Sequence, residues 1–344
     1  MTNTTDDRKQ TVLAIDIGGT KMLIAEVDEK GRILGIKRYP TGRLSQRVLT
    51  ERMLENVKDF EDTVGYAEGR RPSFMGIGAV GRLDPVKGIW KFIADDLPAE
   101  EIFLSEIMKE QFGFSCHIDN DVKAAALAER FFGSAGEESD YIYINVGTGL
   151  AVGMVVDGHL LRGYENEAGE VWATNFALGE GPCTEDRTTG IGLHRHLEWI
   201  LESEPEEASR MLGISLPALE SLRREMKATE LGKAHLSLKG EGRVPGSRIL
   251  ELARKQDPLA VLLTDQLVLH VTLLIRNLVW TLSTRRIILG GGLMSDEWLY
   301  ERIKAGAEEL VGNRLPGGIH RSGLDPSYVG ILGAAAVGLQ EALS

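Results

Sequence analysis

The chain of 344 residues contains only two cysteines, Cys116 and Cys183. Two thiols build neither a disulfide framework nor a multi-cysteine metal site, and they suit a reducing compartment. Basic residues are in deficit. The formal charge is −12 at pH 7, which argues against a nucleic-acid surface, whose affinity comes from clustered Lys and Arg. The polar stretch Met1–Gln10 carries no apolar signal core, so the expected location is the cytoplasm. An unbroken apolar run of membrane-spanning length is also lacking. The most apolar run, Leu259–Leu282, is interrupted by Asp265, His270 and Arg276 and reads as a buried helix, so no membrane is expected as a partner. What remains is a globular chain with length for two domains of ordinary size.

What is present is organised around Leu13–Lys21, Leu-Ala-Ile-Asp-Ile-Gly-Gly-Thr-Lys. An apolar strand, Thr11–Ile17, runs into a turn at Gly18, Gly19 and Thr20, and a second strand follows from Met22. Glycines in such a turn let the backbone adopt positive φ and bring its N–H groups close to an anion. Thr20 adds a hydroxyl, Lys21 a cation, and Asp16 a carboxylate suited to Mg²⁺, directly or through water. These parts describe a phosphate clamp, although a lone Gly-Gly-Thr would be an ordinary hairpin turn. Repetition decides between the two. Tyr141–Gly149 is again an apolar strand entering a turn, here Gly147, Thr148 and Gly149. Asn145 follows Asp16 by 129 positions, and Asp157 follows Asp28 by the same 129. A duplicated domain with two phosphate-facing turns is implied, with a nucleotide between them.

Strands are expected at Thr11–Ile17, Met22–Val27, Arg32–Tyr39, Phe74–Ala79 and Ser115–Ile118, with helices at Leu44–Phe60 and Ile102–Phe112. The strand ending at Ala79 opens into a glycine-bearing loop, which is either a ligand edge or a loop that needs glycine for its turns. Asp119, Asn120 and Asp121 then precede a helix over Val122–Phe132. Asn or Asp at a helix start is first of all a cap. Three in succession exceed that need, and a carboxylate at a strand-to-helix junction can take a proton from a hydroxyl, which makes Asp121 the candidate base. Tyr164–Arg187 holds Glu165, Glu167, Glu170, Glu180, Glu185 and Asp186 and reads by default as a solvated loop. His194–Ala228 is expected to be helical. Ala208–Leu222 within it resembles a helix-turn-helix, but Glu204, Glu206, Glu207 and Glu220 make the region acidic and disfavour DNA. Leu231–Ser247, with four glycines and a proline among charges, is expected to be a mobile loop. Helices at Ile249–Arg254 and Leu259–Leu282 lead to a strand, Arg286–Leu289. Gly290, Gly291 and Gly292 after it allow close backbone approach by a flat ligand such as adenine. Gly330–Leu343 closes the chain as a small-residue helix.

In this order the stretches resemble the ROK family (repressors, open reading frames, sugar kinases) of the actin-like ATPase superfamily, over most of the chain. Asp16–Lys21 looks like the family's first phosphate loop and Gly147–Gly149 like its second. Gly76–Gly81 resembles the sugar-side loop, Asn120-Asp121 the pair containing the catalytic base, and Leu289–Gly292 the adenosine motif. The resemblance implies an α/β fold of two actin-like (ribonuclease H-like) domains, 1–119 plus 325–344 and 120–324, with a nucleotide cleft between them. It implies phosphoryl transfer from ATP with Mg²⁺ to a sugar or polyol hydroxyl, with Asp121 as base and Gly81, Asn120, Glu170 and Glu185 binding the sugar. It also implies a homodimer.

The departures matter as much. Family members carry Ala-Gly-Glu-Ile-Gly-His followed by a zinc loop of three cysteines. Here the first reads Ala168-Gly169-Glu170-Val171-Trp172-Ala173, and the second survives as Cys183-Thr184-Glu185 with Thr189-Gly190. Ala173 replaces the histidine, so no zinc is expected, and Cys183, His194 and His196 lack the spacing of a substitute site. The arm ahead of the first strand is too short for the DNA-binding domain of the family's repressors. Three readings follow: a sugar or polyol kinase, favoured by Asp16 and Asp121 both being present; a non-catalytic sugar-sensing relative; and a nucleotide-switched structural ATPase. The loss at Ala173 points toward an aminosugar or cyclitol rather than glucose.

Overall fold

The computed structural model describes residues 10–42, 44–94, 97–175, 182–238 and 242–342. The N-terminal arm through residue 9, Glu180 and Gly240 lie outside the described residues. In chain order the elements are β1 Thr11–Ile17, β2 Lys21–Asp28, β3 Ile33–Pro40, α1 Gln46–Thr63, β4 Phe74–Ala79, β5 Arg82–Asp84, β6 Ile89–Phe92, α2 Leu104–Phe112, β7 Ser115–Asn120, α3 Asp121–Phe131, β8 Tyr141–Val146, β9 Leu150–Val156 and β10 His159–Leu160. They continue with α4 Thr184–Thr188, α5 Gly190–Leu201, α6 Pro205–Leu212, α7 Leu216–Lys227, α8 Glu230–Ser237, α9 Gly246–Arg254, α10 Pro258–Leu282, β11 Arg286–Gly290, α11 Glu297–Val311, β12 Ile319–Arg321 and α12 Val329–Ala342.

Successive side chains of a strand point to opposite faces, so a strand covered on both sides reads as a continuous apolar run. That is β1. Leu13, Ile15 and Ile17 face a core shared with Leu49, Met53, Val57 and Phe60 of α1 and with Leu104 and Met108 of α2. Val12 and Ala14 face Ala124, Leu127 and Ala128 of α3 and Ile331, Ala334 and Ala335 of α12. The first sheet has the order β3-β2-β1-β4-β7, antiparallel through β3, β2 and β1 and parallel from β1 to β4 and β7. Its register places Asp16 opposite Gly78, and Gly78 opposite Asp119. The three parallel strands therefore end together, and the residues that follow them leave from one edge.

The second sheet has the order β10-β9-β8-β11-β12, with β9/β10 antiparallel and β11/β12 parallel. Strand for strand this repeats the order of the first sheet, so the duplication inferred from the 129-residue spacing is present in the topology. By contact the chain divides into two compact units. One holds Met1–Tyr143, Gly153–Gly169 and Ser322–Ser344, the other Ile144–Val152 and Glu170–Arg321.

Helix α10 is long and apolar enough, by length and composition alone, to cross a membrane. It packs against α9 and α11 and buries Leu259, Leu263, Leu267, Val271, Leu274 and Ile275, as a core helix does. Two expectations need correction. The segment from Leu231 is not a mobile loop throughout, because α8 occupies it as far as Ser237. Thr229 caps that helix by accepting from Gly232 N at 3.0 Å, and Leu231 is fully buried. Gly232, read as a loop glycine, is there because a Cβ would meet Met226 O at 2.1 Å. The strand expected to end at Ile118 runs on to Asn120 and the next helix starts at once, which leaves no loop between Asp119 and the helix.

Candidate active site

In the first unit the edge formed by the ends of β1, β4 and β7 gathers Asp16, Gly81, Asn120 and Asp121. The turn after β1 is closed by Gly18 N–H donating to Lys21 O at 2.9 Å and by Thr41 Oγ1 donating to Gly18 O at 3.0 Å. Gly19 and Thr20 are exposed at its tip. Neither Gly18 nor Gly19 uses the positive φ that glycine permits, because a hairpin held by these bonds does not require it. The structure instead leaves space at Gly19, where a Cβ would have no neighbour within 4 Å.

Asn120 caps α3. Its Oδ1 accepts from Val122 N at 3.0 Å and Lys123 N at 3.3 Å, while its Nδ2 donates to Gly81 O at 3.3 Å. The capping reading thus holds for Asn120, which in addition ties the β4 loop to the β7–α3 junction. Gly81 has φ +92°, and a Cβ there would lie 2.0 Å from Phe92 O, so no other residue fits. Asp121 stands in the first turn of α3, where the helix dipole favours a negative charge. Its Oδ1 accepts from Val122 N at 3.0 Å. Asp16 is pushed up to about 7, first by loss of water and then by the charge of Asp121, with Lys21 pulling the other way. Two carboxylates that repel each other across a partly dry edge, with oxygen as the only donor atom, fit a hydrated Mg²⁺.

Sequence reasoning missed what lies beneath this pair. Asp119, only 1% exposed, accepts from Asn120 N at 2.8 Å, from Asn166 Nδ2 at 3.1 Å and from Arg162. Lys91 and Arg82 hold the same segment through Glu165 at 2.8 Å and through Glu167. Glu165 and Glu167, both read as solvated, are thus ion-paired. A buried carboxylate so supplied with donors fixes the backbone on either side of it. The only signal in the sequence was an aspartate one position before the cap.

In the second unit the turn Gly147–Gly149 is closed by Gly147 N donating to Gly149 O at 3.1 Å, and Gly190 N donates to Gly147 O at 2.9 Å. The glycines after β11 lie against it. Gly291 has φ +92°, and its Cβ would meet Val146 O at 2.5 Å; Gly147 would approach Gly292 N at 3.6 Å. Gly290 ends β11 and is buried. Glu185, in α4, reaches the turn as well, its Oε1 accepting from Leu150 N at 3.2 Å. Glu170 accepts from Trp172 Nε1 at 2.8 Å. This unit therefore assembles Gly147, Thr148, Gly149, Gly290, Gly291, Gly292 and Glu185.

Cys183, His194 and His196 are engaged separately. Cys183 Sγ donates to Asp186 Oδ2 at 3.2 Å, His194 lies against His235 with ring centres 5.8 Å apart, and His196 packs against Trp199 with ring centres 4.9 Å apart and the rings tilted by 57°. Burial lowers His196 to about 3. Among the described residues no group of three or more His, Cys, Asp or Glu is placed to hold a metal ion. Metal analysis of protein made without a histidine tag should find well under one zinc per chain, since structural zinc needs about four N or S ligands. Stoichiometric zinc, with unfolding on chelation, is the opposite result.

Residues 12–340 match the model of the ROK family. A glucokinase of Thermotoga maritima is 23% identical over 341 residues, covering 96% of this chain and 97% of that one. A xylose repressor of Caldicellulosiruptor bescii is 36% identical over 110 residues, but the match spans only 32% of this chain and 27% of the repressor. The crystal structure of a ROK family glucokinase from Streptomyces griseus, in complex with glucose and AMPPNP, superposes with a TM-score of 0.66 at 24% identity, over 96% of this chain and 99% of that one.

Proposed function

Because the chain belongs to the ROK family, whose members include both kinases and repressors, we propose that it is an ATP-dependent kinase of a sugar or sugar-like polyol, with Asp121 as the base. One observation carries the reading: Asp16 and Asp121 leave the same edge of one sheet, close enough for the charge of one to raise the other. A protein that only senses sugar has no use for that repulsion. Bound ATP would supply the phosphoryl group, and Mg²⁺ would neutralise its oxygens. Asp16 is the residue to hold the cation, through water. The N–H groups of Gly18–Thr20 and of Gly147–Gly149 would hold phosphate oxygens, with Lys21 beside the first turn, and Gly290–Gly292 would accommodate the adenine side. Glu170 and Glu185 would accept from sugar hydroxyls, and Asp121 would receive the proton of the attacking one.

The repressor match favours a second reading, a non-catalytic sugar-binding relative. Coupled ADP release over a panel of sugars separates the two: the kinase turns over at least one sugar at an ordinary rate, and the sensor none.

Specificity follows from Ala173, which offers no donor where the family's histidine contacts a sugar hydroxyl. A hydroxyl stripped of its partner in a dry site costs about 1–3 kcal/mol, up to roughly a hundredfold in discrimination. Glu170 and Glu185 only accept when ionised, and they favour an amino group beside a hydroxyl. Glucose should therefore have a lower kcat/KM than the best of the aminosugars, N-acetyl aminosugars and inositols under the same conditions. Glucose as the best substrate would show that another residue supplies the missing donor.

A further inference from the structure

Glu170 and Glu185 stand on separate segments, one ahead of the turn Val171–Ala173 and the other in α4. Two carboxylates can grip neighbouring hydroxyls only if something fixes one relative to the other, because about an ångström of misplacement loses most of the benefit. Here the segments are joined by threonines. Thr184 N donates to Thr174 O at 2.6 Å. Thr184 Oγ1 lies 2.8 Å from the same carbonyl and 2.7 Å from Thr174 Oγ1, and Thr174 Oγ1 donates to Val171 O at 2.7 Å. With Thr174 donating to Val171 O, the single hydroxyl proton of Thr184 serves Thr174 O or Thr174 Oγ1, one at a time. With its amide nitrogen turned toward them, Asn175 adds donors to Thr174 O at 3.2 Å and Pro182 O at 3.1 Å.

Each end of this clasp is anchored. Thr184 is 1% exposed. Thr188 Oγ1 donates to Thr184 O at 2.8 Å, and Thr189 Oγ1 donates to Glu185 O at 2.9 Å. The α4 N-terminus is closed by Cys183 N donating to Asp186 at 3.0 Å, and Asp186 is paired with Arg195. At the outer end Trp172 holds one oxygen of Glu170, and among the described residues the other has no partner. At the inner end Leu150 N holds Oε1 of Glu185 and leaves Oε2.

We propose that Thr174 and Thr184 are positioning residues for the sugar, hydrogen-bonding the two glutamate-bearing segments into one gripping pair without a metal. The proposal rests on the kinase reading and on Glu170 and Glu185 contacting substrate. The clasp's own hydrogen bonds involve no residue of the phosphate turns, and Glu185 meets the second turn only at its edge, through Leu150 N, so loss of the clasp should act more on the sugar than on ATP.

The test measures KM for ATP and for whichever of glucose, glucosamine, N-acetylglucosamine and myo-inositol the wild type uses best. Thr184→Val should raise KM for the sugar about tenfold, the size expected for a lost buried hydrogen bond, and Thr174→Val, whose hydroxyl is exposed, about threefold, with KM for ATP within about twofold. Thr184→Ser, which keeps the hydroxyl, should restore the wild-type value. Thr174 is exposed, so its variant decides the matter if Thr184→Val does not fold. Sugar KM unchanged in Thr174→Val, or ATP KM rising in step with it, overturns the proposal. A wild type that phosphorylates none of these and no other sugar or polyol of a broad panel overturns the kinase reading, and this proposal with it.

Discussion

Asp121→Asn should lower kcat by about 10²–10⁴-fold, the usual cost of losing a general base, while ATP and sugar still bind. The structure makes this substitution a clean one. The Oδ1 that accepts from Val122 N at 3.0 Å is retained by asparagine, and the cap of α3 belongs to Asn120 rather than to Asp121, so the helix start survives. Removing the Asp121 charge also removes one of the two causes that raise Asp16. Asp16 is then more fully ionised near neutral pH, and its hold on a cation does not weaken. The measurement is kcat at saturating substrates beside equilibrium binding of each. A purified variant keeping more than about a tenth of the wild-type rate would take Asp121 out of the role.

Gly330→Ala should cost about 10²-fold in kcat with little loss of folding stability. Gly330 opens α12, and a Cβ on it would lie 2.5 Å from Cγ of Asp16. Either the helix or the carboxylate must move. The helix is held along its length by small residues in close approach: a Cβ on Gly76 would sit 1.9 Å from Ala334 O and 2.6 Å from Gly338 N. Asp16 is therefore the part that yields, and about 1 Å of misplacement in a catalytic group costs on the order of 10² in rate. The helix itself gains from alanine by roughly 0.5–1 kcal/mol, so the melting temperature should stay close to that of the wild type. A rate within threefold of the wild type would mean that the placement of Asp16 does not limit turnover. A large drop in melting temperature would mean that the helix moved instead.

How much of this was legible differs residue by residue. The glutamates assigned from resemblance were found on ordered segments, but their sugar contacts are what the substitutions above must test. The glycines of the first phosphate turn permit positive φ, and the hairpin hydrogen bond of Gly18 makes it unnecessary there. The glycines that do need it, Gly81 and Gly291, meet backbone from β6 and β8, contacts that no nearby residue announces.

What the amino-acid order determined alone is whatever a short window records. Strands buried on both faces appear as unbroken apolar runs, turns as Gly and Thr, and a duplicated unit as the same pattern 129 positions on; the order of the strands in each sheet came from the structure. Asn120 as a cap is equally local. The tertiary structure alone decided which of these pieces meet. Asp119 finds Arg162 and Asn166 at separations of 43 and 47 residues. Thr174 finds Thr184 across a loop, and Gly330 lies against Asp16 from the far end of the chain. Such pairs are set by the register of β1, β4 and β7 and by how closely α12 approaches them. Register and approach are properties of the packed whole, since each depends on every side chain between the layers.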